Sequence, residues 1–270
     1  MQDLNTIALT VRKDILRMSY NAKSAHVGGA LSCVEILVAL YFKILRLNPE
    51  NPEGADRDRL VFSKAHDGKV LFSVLCRRGF FDEEVLKGYE QNDGLLPGHS
   101  TRHCVPGVEV SAGSLGHGLS MACGMALAAK LAKKDFRVFA VLSDGECDEG
   151  STWEAILFAG HHKLDNLTVV VDYNKLQGFG YTKDILSLEP FSAKWKAFGW
   201  SPLEVKDGHD FKEIIATFSK LPHKKNKPTV IIAHTIKGKG GVSAHINQIS
   251  SQYKPPTKEE MEALYPDGNL

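Results

Sequence analysis

Short apolar runs of strand length alternate along the chain with segments whose apolar residues recur at helical spacing. The strand-like runs lie at 60–62, 136–142, 167–171, 205–210 and 229–234. The run at 167–171 is continuous and rich in β-branched residues, which is typical of a parallel strand buried on both faces. The pattern therefore predicts an α/β fold, a doubly wound and mostly parallel sheet with helices on both faces.

Apolar periodicity and capping residues predict where the helices begin and which side chains they bury. The first helix is expected over 4–18, and the second from Ser32, where Glu35 three residues later would complete a capping box. A helix from about residue 151 is expected to bury four large side chains, Trp153, Ile156, Leu157 and Leu164. Further helices are expected at 70–76, 118–130 and 211–218.

Polar loops that contain histidine recur along the chain. His26, His66 and His99 each lie beside alanine or glycine in such a loop, and a fourth loop at 111–118 is rich in glycine. Imidazole titrates near neutral pH and can both move protons and bind hydroxyl groups. A single loop histidine is as readily a surface or capping residue, so the three suggest chemistry only when they are taken together.

The most informative stretch is 138–177, which contains two strands that each end in polar residues. Asp144 and Gly145 follow the first strand, and Asn174 follows the second, 30 positions after Asp144. That spacing fits one parallel βαβ unit, so both side chains are expected at the carboxyl ends of neighbouring strands. Open α/β sheets bind their ligands at this edge.

These residues have the chemistry of a magnesium–diphosphate site. Magnesium prefers oxygen ligands and shares its shell with substrate phosphates. Asp144 would supply a carboxylate, Asn174 an amide oxygen and Leu176 a backbone carbonyl, while Gly145 would let a phosphate approach the backbone. The alternative is that Asp-Gly is a simple turn after a strand; the matching asparagine makes this alternative weaker.

Composition restricts the remaining possibilities. The 270 residues are 43% hydrophobic and 24% charged, with a formal net charge of +1, so neither nucleic acid nor membrane is indicated as a partner. No apolar run reaches the roughly 20 residues that span a bilayer. Five scattered cysteines without a CxxC pair favour a reducing compartment, and the cytoplasm is predicted. A single domain over 1–270 is expected, with a peripheral tail at 250–270.

The motifs occur in the order seen in transketolases. The segment SDGE followed by DYN resembles the thiamine-diphosphate motif, GDG and then asparagine about thirty residues later. The other loops resemble those of the transketolase family over almost the whole chain: 24–30 (SGHPGA), 56–59 (ADRDR), 63–68 (SxGHG), 97–99 (PGH), 113–118 (GxLGQG) and 207–210 (DGHD).

The resemblance implies a role for each matching residue. The expected ligands of Mg²⁺, or of Ca²⁺ or Mn²⁺ in its place, are Asp144, Asn174 and Leu176. The expected contacts to thiamine diphosphate are His66, Gly113, Ser114, Leu115, Asp144, Gly145, Glu146 and Asn174. The expected catalytic residues are His26 and His99, facing the sugar, and Glu149, in a carboxylate network across a dimer.

The sequence also departs from the family pattern. Ser143 replaces the first glycine of GDG, Val27 replaces a proline, and Ala65 and Asp67 replace the glycines around His66. The family also has a histidine–glycine pair after the Gly-Lys-Gly loop, whereas the corresponding tail at 247–253 has no histidine. The altered loop around His66 and the missing histidine leave the preference for sugar donors and acceptors open.

The resemblance covers one third to one half of a full-length transketolase. The family's catalytic glutamate and pyrimidine-binding residues belong to the following domain. The chain is therefore expected to be the N-terminal subunit of a split transketolase, which transfers a two-carbon ketol unit between sugars or sugar phosphates in an α2β2 assembly with a C-terminal subunit. Met1 and the polar tail favour a subunit over a fragment of a longer chain.

Two other functions are considered. One is another thiamine-dependent reaction, such as deoxyxylulose-phosphate synthesis or two-carbon transfer in a specialised sugar pathway. The other is a non-catalytic binding or regulatory subunit, which the presence of both Asp144 and Asn174 disfavours.

Overall fold

A five-stranded parallel sheet forms the centre of the protein, and its three inner strands are apolar runs that are buried almost completely. A computed structural model describes residues 3–266. Its strands are β1 (Arg59–Phe62), β2 (Val138–Ser143), β3 (Leu167–Tyr173), β4 (Leu176–Gln177), β5 (Gly180–Tyr181), β6 (Ser201–Val205) and β7 (Thr229–His234). The sheet has the order β1-β2-β3-β7-β6, and β4 and β5 form a separate antiparallel hairpin. The predicted fold class is confirmed.

Helices surround the sheet and connect its strands. They are α1 (Leu4–Ala22), α2 (Val27–Ser32), α3 (Val34–Ala39), α4 (Gly68–Arg78), α5 (Gly118–Leu131), α6 (Gly150–His161), α7 (Thr182–Ile185), α8 (Phe191–Ala197), α9 (Phe211–Phe218), α10 (Ser250–Tyr253) and α11 (Lys258–Leu264). Short 3-10 turns lie at Ala65–Asp67, Glu83–Gly88, Gly145–Asp148 and Ser243–His245, and α3 continues as a π turn over Leu40–Ile44.

Alternate residues of each strand point to opposite faces and so divide the core in two. On β2, Phe139 and Val141 pack with α1 to α4 and α9, whereas Ala140 and Leu142 pack with α5, α6 and α8. Both faces of β3 are fully buried, as its β-branched run predicts. Within residues 3–266, no helix is both long and apolar enough to cross a membrane.

The predicted second helix, α3, begins at Val34 and is preceded by α2, which was expected to be a loop. Ser32 ends α2 instead of opening a helix, and its hydroxyl lies within hydrogen-bonding distance of both the Gly29 carbonyl and Asp172. Glu35 does not form a capping box, because its carboxylate is bound by Arg12 at 2.6 Å and lies 2.9 Å from His209 Nδ1. Long-range charge pairing has overridden the local capping signal.

Three other predictions are also corrected. The strand expected at 205–210 ends at Val205, and the residues after it form the loop that leads to α9. Leu157 is 58% exposed and Trp153 is only partly buried, because the outer face of α6 does not pack on the sheet. The tail from 250 is not merely peripheral, since Met261 is buried and Gln252 reaches the loop before α2; 267–270 lie outside the described residues.

Candidate active site

The carboxyl ends of β2 and β3 bring Asp144 and Asn174 together. The two strands pair in parallel, with Ser143 opposite Asp172, so the residues that follow emerge at the same edge of the sheet. The Lys175 amide donates to Asp144 Oδ2 at 2.5 Å and links the two strand ends directly. Both predicted ligand side chains are buried.

Asp144 is a buried carboxylate that accepts hydrogen bonds from the backbone amides of Lys175 and Gly145. Burial and the neighbouring charge of Asp172 nevertheless raise the pKa of Asp144 to about 6. Asp172 is paired with Lys64, whose Nζ lies 2.5 Å away and also contacts Asp67 at 3.1 Å. The under-neutralised charge at Asp144 therefore favours a bound cation.

The backbone after Asn174 offers further oxygen atoms. The Leu176 amide donates to Asn174 Oδ1 at 3.0 Å, and the Leu176 carbonyl accepts from Lys237 Nζ at 2.8 Å. Burial lowers the pKa of Lys237, and the nearby carboxylates of Asp67 and Asp144 oppose that shift. An ammonium thus already contacts one oxygen atom that is predicted to bind the metal.

One carboxylate, one amide oxygen and one backbone carbonyl make a donor set that suits a hard divalent cation sharing its shell with phosphate. The under-neutralised Asp144 carboxylate fits that use. Among residues 3–266 there is no group of three or more histidine, cysteine, aspartate or glutamate side chains suited to a metal. The candidate metal site therefore depends on mixed oxygen donors.

Seven of the predicted site residues line one cleft of about 210 Å³ at this edge of the sheet. They are His66, Leu115, Asp144, Gly145, Glu149, Asn174 and Leu176. Gly145 lies against Gln177, where an added Cβ would come within 3.1 Å of the Gln177 Cβ. The cleft thus combines the expected metal ligands with residues from two other loops, those of His66 and Leu115.

The three predicted loop histidines form a cluster beside this cleft. The ring centroid of His26 lies 5.2 Å from that of His66 and 6.3 Å from that of His99, both in edge-on arrangements. Burial lowers the pKa of His66 to about 4 and also lowers that of His26, so both rings are neutral at neutral pH. Neutral imidazoles can donate from one nitrogen and accept at the other.

The loop before α5 is shaped by its neighbours on both sides. Gly113 has φ of 135°, and an added Cβ would lie 2.7 Å from His99 Cδ2, so glycine is required beside this histidine. Ser114 is the next residue of the same loop and Leu115 reaches the cleft. This loop therefore links His99 with the cleft that contains Asp144 and Asn174.

Glu146 lies beneath the loop that precedes α5. Its side chain is fully buried and accepts from the Ser63 hydroxyl and, at 3.0 Å, from the Gly116 amide. It holds the 113–116 loop from beneath and is not among the residues that line the cleft, so its contact with the cofactor stays a prediction. Glu149, in contrast, is exposed at the start of α6, where a group from another chain can reach it.

A buried charge cluster was missed by the sequence interpretation. Lys64 Nζ lies 3.1 Å from Asp67 Oδ2 and 2.5 Å from Asp172, and all three side chains are buried. Burial alone would raise the pKa of Asp67, but the charge of Lys64 and the neighbouring His66 hold it at about 2. Lys64 is shared between the two carboxylates, so it offsets only part of the negative charge of Asp67 and Asp172. In the sequence, the signal for this cluster was Lys64, which follows the buried strand β1 by two residues.

Comparison with known proteins agrees with this geometry. Residues 5–264 match the family model described as the transketolase, thiamine diphosphate binding domain. The chain belongs to the transketolase family. Its thiamine-diphosphate-binding N-terminal domain therefore accounts for nearly the whole chain, as the motifs predicted.

Transketolase relatives that are themselves named as separate subunits match this chain over most of their length. The chain is 42% identical over 251 residues to a subunit of the apulose-4-phosphate transketolase of Phocaeicola vulgatus, covering 93% of this chain and 88% of the relative. It is also 42% identical over 238 residues to the 6-deoxy-6-sulfo-D-fructose transketolase subunit SqwG of a Clostridium species, covering 88% and 86%. The predicted match to an N-terminal subunit of a split transketolase is confirmed.

Solved transketolases have the same fold over the whole chain. The Leishmania mexicana enzyme superposes with a TM-score of 0.93 at 28% identity, covering 99% of this chain and 41% of that one. The Campylobacter jejuni enzyme gives 0.90 at 32% identity, covering 99% and 43%. The chain thus spans about two fifths of the length of these transketolases.

Proposed function

We propose that this chain binds thiamine diphosphate through a divalent cation and, with a separate subunit, transfers a two-carbon ketol unit from a ketose to an aldose. The observation that carries the proposal is the buried, under-neutralised Asp144 in one cleft with Asn174, Leu176 and His66. A non-catalytic subunit has no need of a buried carboxylate that its own protein leaves under-neutralised.

The proposed metal ligands are Asp144, Asn174 Oδ1 and the Leu176 carbonyl, with Mg²⁺ as the preferred ion and Ca²⁺ or Mn²⁺ as substitutes. The Leu176 carbonyl oxygen has two lone pairs, so it could hold the ion and still accept from the Lys237 ammonium. Lys237 also lines the cleft and would be a cation for the diphosphate. Gly145 is the proposed diphosphate contact.

The proposed roles of the other residues follow from their places in the cleft. His66 and the Gly113–Leu115 loop bind the cofactor, with Leu115 against its apolar part. The chemistry supplied by bound thiamine diphosphate is an electron sink for cleaving the bond beside a ketose carbonyl. His26 and His99 bind sugar hydroxyl groups and move protons at the sugar oxygens, which suits neutral imidazoles.

The proposed partner is a C-terminal transketolase subunit that carries the pyrimidine-binding residues and the catalytic glutamate, in an α2β2 assembly. The naming of the relatives as subunits supports a partner. Large apolar side chains are exposed near the cleft and on the outer helices, including Phe179 at 82% and Leu131 at 76%. Such side chains are suited to burial against another subunit, and Glu149 is placed to join its carboxylates.

A specialised sugar pathway is the second candidate setting for this ketol transfer. The loop around His66 carries Asp67 and the tail carries Gln252, both at or beside the cleft. The relatives named for apulose 4-phosphate and 6-deoxy-6-sulfo-D-fructose act on unusual ketoses by their names. We propose that the donor here is a ketose or ketose phosphate, and that the protein works as a single domain in the cytoplasm, where its five free cysteines remain reduced.

Reconstitution tests this function. The chain is purified alone and together with a candidate C-terminal subunit, and each sample is assayed for ketol transfer between sugar phosphates with thiamine diphosphate and Mg²⁺. Activity is expected only in the mixture and only with both cofactors, and a chelator should abolish it until Mg²⁺ is restored. Activity of the chain alone would overturn the split-subunit proposal. Failure of the complex to bind thiamine diphosphate in calorimetry would overturn the cofactor assignment.

A further inference from the structure

Gln252, on the short helix α10 near the end of the chain, contacts His26 at two points. The His26 amide donates to the Gln252 carbonyl at 2.8 Å, and the Gln252 side-chain nitrogen Nε2 lies 2.7 Å from His26 Nδ1. The two residues are 226 positions apart in the sequence. Gln252 also lines the cleft that holds Asp144 and Asn174.

The helix that carries Gln252 is itself well anchored. Tyr253 donates its hydroxyl to the Gly178 carbonyl at 2.8 Å, which ties α10 to the hairpin beside the cleft. The Ser250 hydroxyl lies 2.6 Å from His245 Nδ1, on the turn that precedes α10. The amide of Gln252 is therefore presented to His26 from a defined position.

His26 needs such support because its backbone is in the left-handed region, with φ of 59° and ψ of 37°. That conformation costs a non-glycine residue roughly 1–3 kcal/mol, and it persists only where surrounding contacts determine it. The backbone hydrogen bond to Gln252 helps to hold this conformation. The side-chain hydrogen bond determines which ring nitrogen of His26 carries the proton. Among residues 3–266, no side chain or backbone group is hydrogen-bonded to the other ring nitrogen, Nε2.

The surroundings of His26 favour a neutral ring. Burial lowers its pKa, and Asp67 opposes that shift. The charged and titratable groups that face it are Asp67, Lys69, Lys237, His66 and His99. With an amide N–H donating to Nδ1, the single proton of the neutral ring must lie on Nε2.

We propose that Gln252 is a positioning residue that fixes His26 as the Nε2–H tautomer, so that His26 donates a hydrogen bond to an oxygen of the bound ketose. The role toward the sugar rests on the proposed function, whereas the tautomer is a property of the chain alone. A glutamine amide does not titrate, so it keeps an N–H donor for Nδ1 at every pH at which the His26 ring is neutral. An imidazole or a carboxylate at this position would gain or lose a proton as the pH changes, and its hydrogen bond to Nδ1 would change with it.

The tautomer can be read directly in the full-length chain without cofactor. Long-range ¹⁵N–¹H spectra of ¹⁵N-histidine-labelled protein, with His26 assigned by loss of its signals in His26→Gln, are expected to show Nε2–H at neutral and alkaline pH. In Gln252→Glu the carboxylate can only accept, so His26 should change to Nδ1–H at alkaline pH and become an imidazolium at lower pH. Gln248→Glu is the matched control, because it adds the same charge to the same tail on an exposed residue, and it should leave His26 unchanged.

Kinetics of the complex with its partner subunit test the role toward substrate. Gln252→Met removes the donor at similar size, and kcat/KM should fall roughly tenfold, as expected for one lost hydrogen bond. In Gln252→Glu the activity relative to wild type should decline as pH rises through the raised His26 pKa, because Nε2 then loses its proton. A purely structural role would not produce that pH dependence.

The possible outcomes are distinguishable. Nδ1–H in the wild type, or the same tautomer in wild type and Gln252→Glu, would overturn the inference. A flat activity ratio across pH with the expected tautomers would overturn the role toward substrate. If the tautomers are as expected but no variant or wild-type complex transfers a ketol unit, the proposed function fails while the Gln252–His26 contact is supported.

Discussion

Two buried aspartates lie at opposite ends of the parallel strands and have opposite electrostatic environments. Asp58 precedes β1 and accepts hydrogen bonds from the backbone and side chains of Arg46 and Arg137, at 2.6 to 3.2 Å. Burial would raise its pKa, but these donors hold it below the usual value. Asp144 follows β2, accepts from two backbone amides, and has its pKa raised to about 6.

The difference separates stability from function within one sheet. At the amino ends of the strands, the Asp58 carboxylate is satisfied by groups of the chain, so it stabilises the fold. At the carboxyl ends, Asp144 and the neutral histidines are left to be completed by a ligand or a partner. The same residue type thus has two roles, and the donors around it decide which.

The largest expected effect comes from Asp144→Asn. Loss of a direct metal ligand should weaken Mg²⁺-dependent binding of thiamine diphosphate by roughly 100-fold or more, since losing even an outer-shell partner costs about 10- to 100-fold. The free energy of unfolding of the cofactor-free chain should stay the same or rise, because a poorly neutralised buried charge disappears. Calorimetric titration and chemical denaturation measure the two effects.

Asp148→Asn is the matched control, since this carboxylate lines the same cleft, accepts from Gln177 and is not among the proposed metal ligands. Its effect on cofactor affinity should be small. Equal losses in both variants would show that only the net charge of the cleft matters, and Asp144 would not be a ligand.

Asp58→Asn should have the reverse effect. Removing the carboxylate takes the shared anion from Arg46 and from the partly buried Arg137, while Arg46 keeps its contact with Asp135, so the free energy of unfolding should fall by about 1–3 kcal/mol. The affinity of the folded protein for thiamine diphosphate should not change. Urea denaturation measures the free energy of unfolding, and calorimetry measures the affinity. A loss of affinity in fully folded protein would contradict the separation of a stabilising role at the amino ends of the strands from a functional role at their carboxyl ends.

Residues at the carboxyl ends of the strands, beside the candidate site, should also contribute most of the pH dependence of the free energy of unfolding. The folded-state pKa of His66 is about 4 against a usual value of 6.5, so the unfolded chain binds a proton first as pH falls. Protonation of His66 therefore lowers stability between about pH 6.5 and 4, by roughly 3 kcal/mol, whereas protonation of Asp144, whose folded-state pKa is about 6, works in the opposite direction over part of this range. His66→Gln should remove the first contribution, so the stability of the variant relative to wild type should rise by about that amount as pH falls through this range. An unchanged slope in denaturation curves measured across the range would refute the assignment.

The smallest effects distinguish two glycines. Gly113 and Gly79 both have positive φ, of 135° and 93°, but an alanine Cβ at Gly113 would meet His99, whereas at Gly79 it would meet open space among the described residues. Replacing either by alanine should cost about 1 kcal/mol of stability through backbone strain. Gly113→Ala should in addition lower kcat/KM of the complex by roughly tenfold, because the His99 ring must move. Gly79→Ala, just after the end of α4, should keep full activity.

Local signals predicted the features that depend on residues near one another in sequence. Asp144 and Asn174 could be placed at one edge because a parallel βαβ unit returns the chain to the same side. His26, His66 and His99 were identified from their loops, and the structure brings their rings into one cluster. Their roles toward cofactor and sugar stay predictions.

Other features could not be predicted because they depend on pairings between distant segments. Ser32 and Glu35 have the spacing of a capping box, yet their partners Asp172, Arg12 and His209 draw them elsewhere. Glu146 was expected beside the cofactor, and its bonds to Ser63 and Gly116 beneath a loop were not expected. In each case a buried polar group is directed by whichever donor or acceptor the fold brings near it.

The sequence by itself determined the sheet, because buried strands and amphipathic helices have periods that can be read residue by residue. It also determined the oxygen donors of the candidate metal site and the family to which they belong. Only the tertiary structure decided which charges are balanced within the chain, as at Asp58, and which are not, as at Asp144. It also decided that Gln252 meets His26 across 226 positions. Hydrogen bonds and charge pairs act over a few ångströms of space, so their partners are known only when the chain has folded.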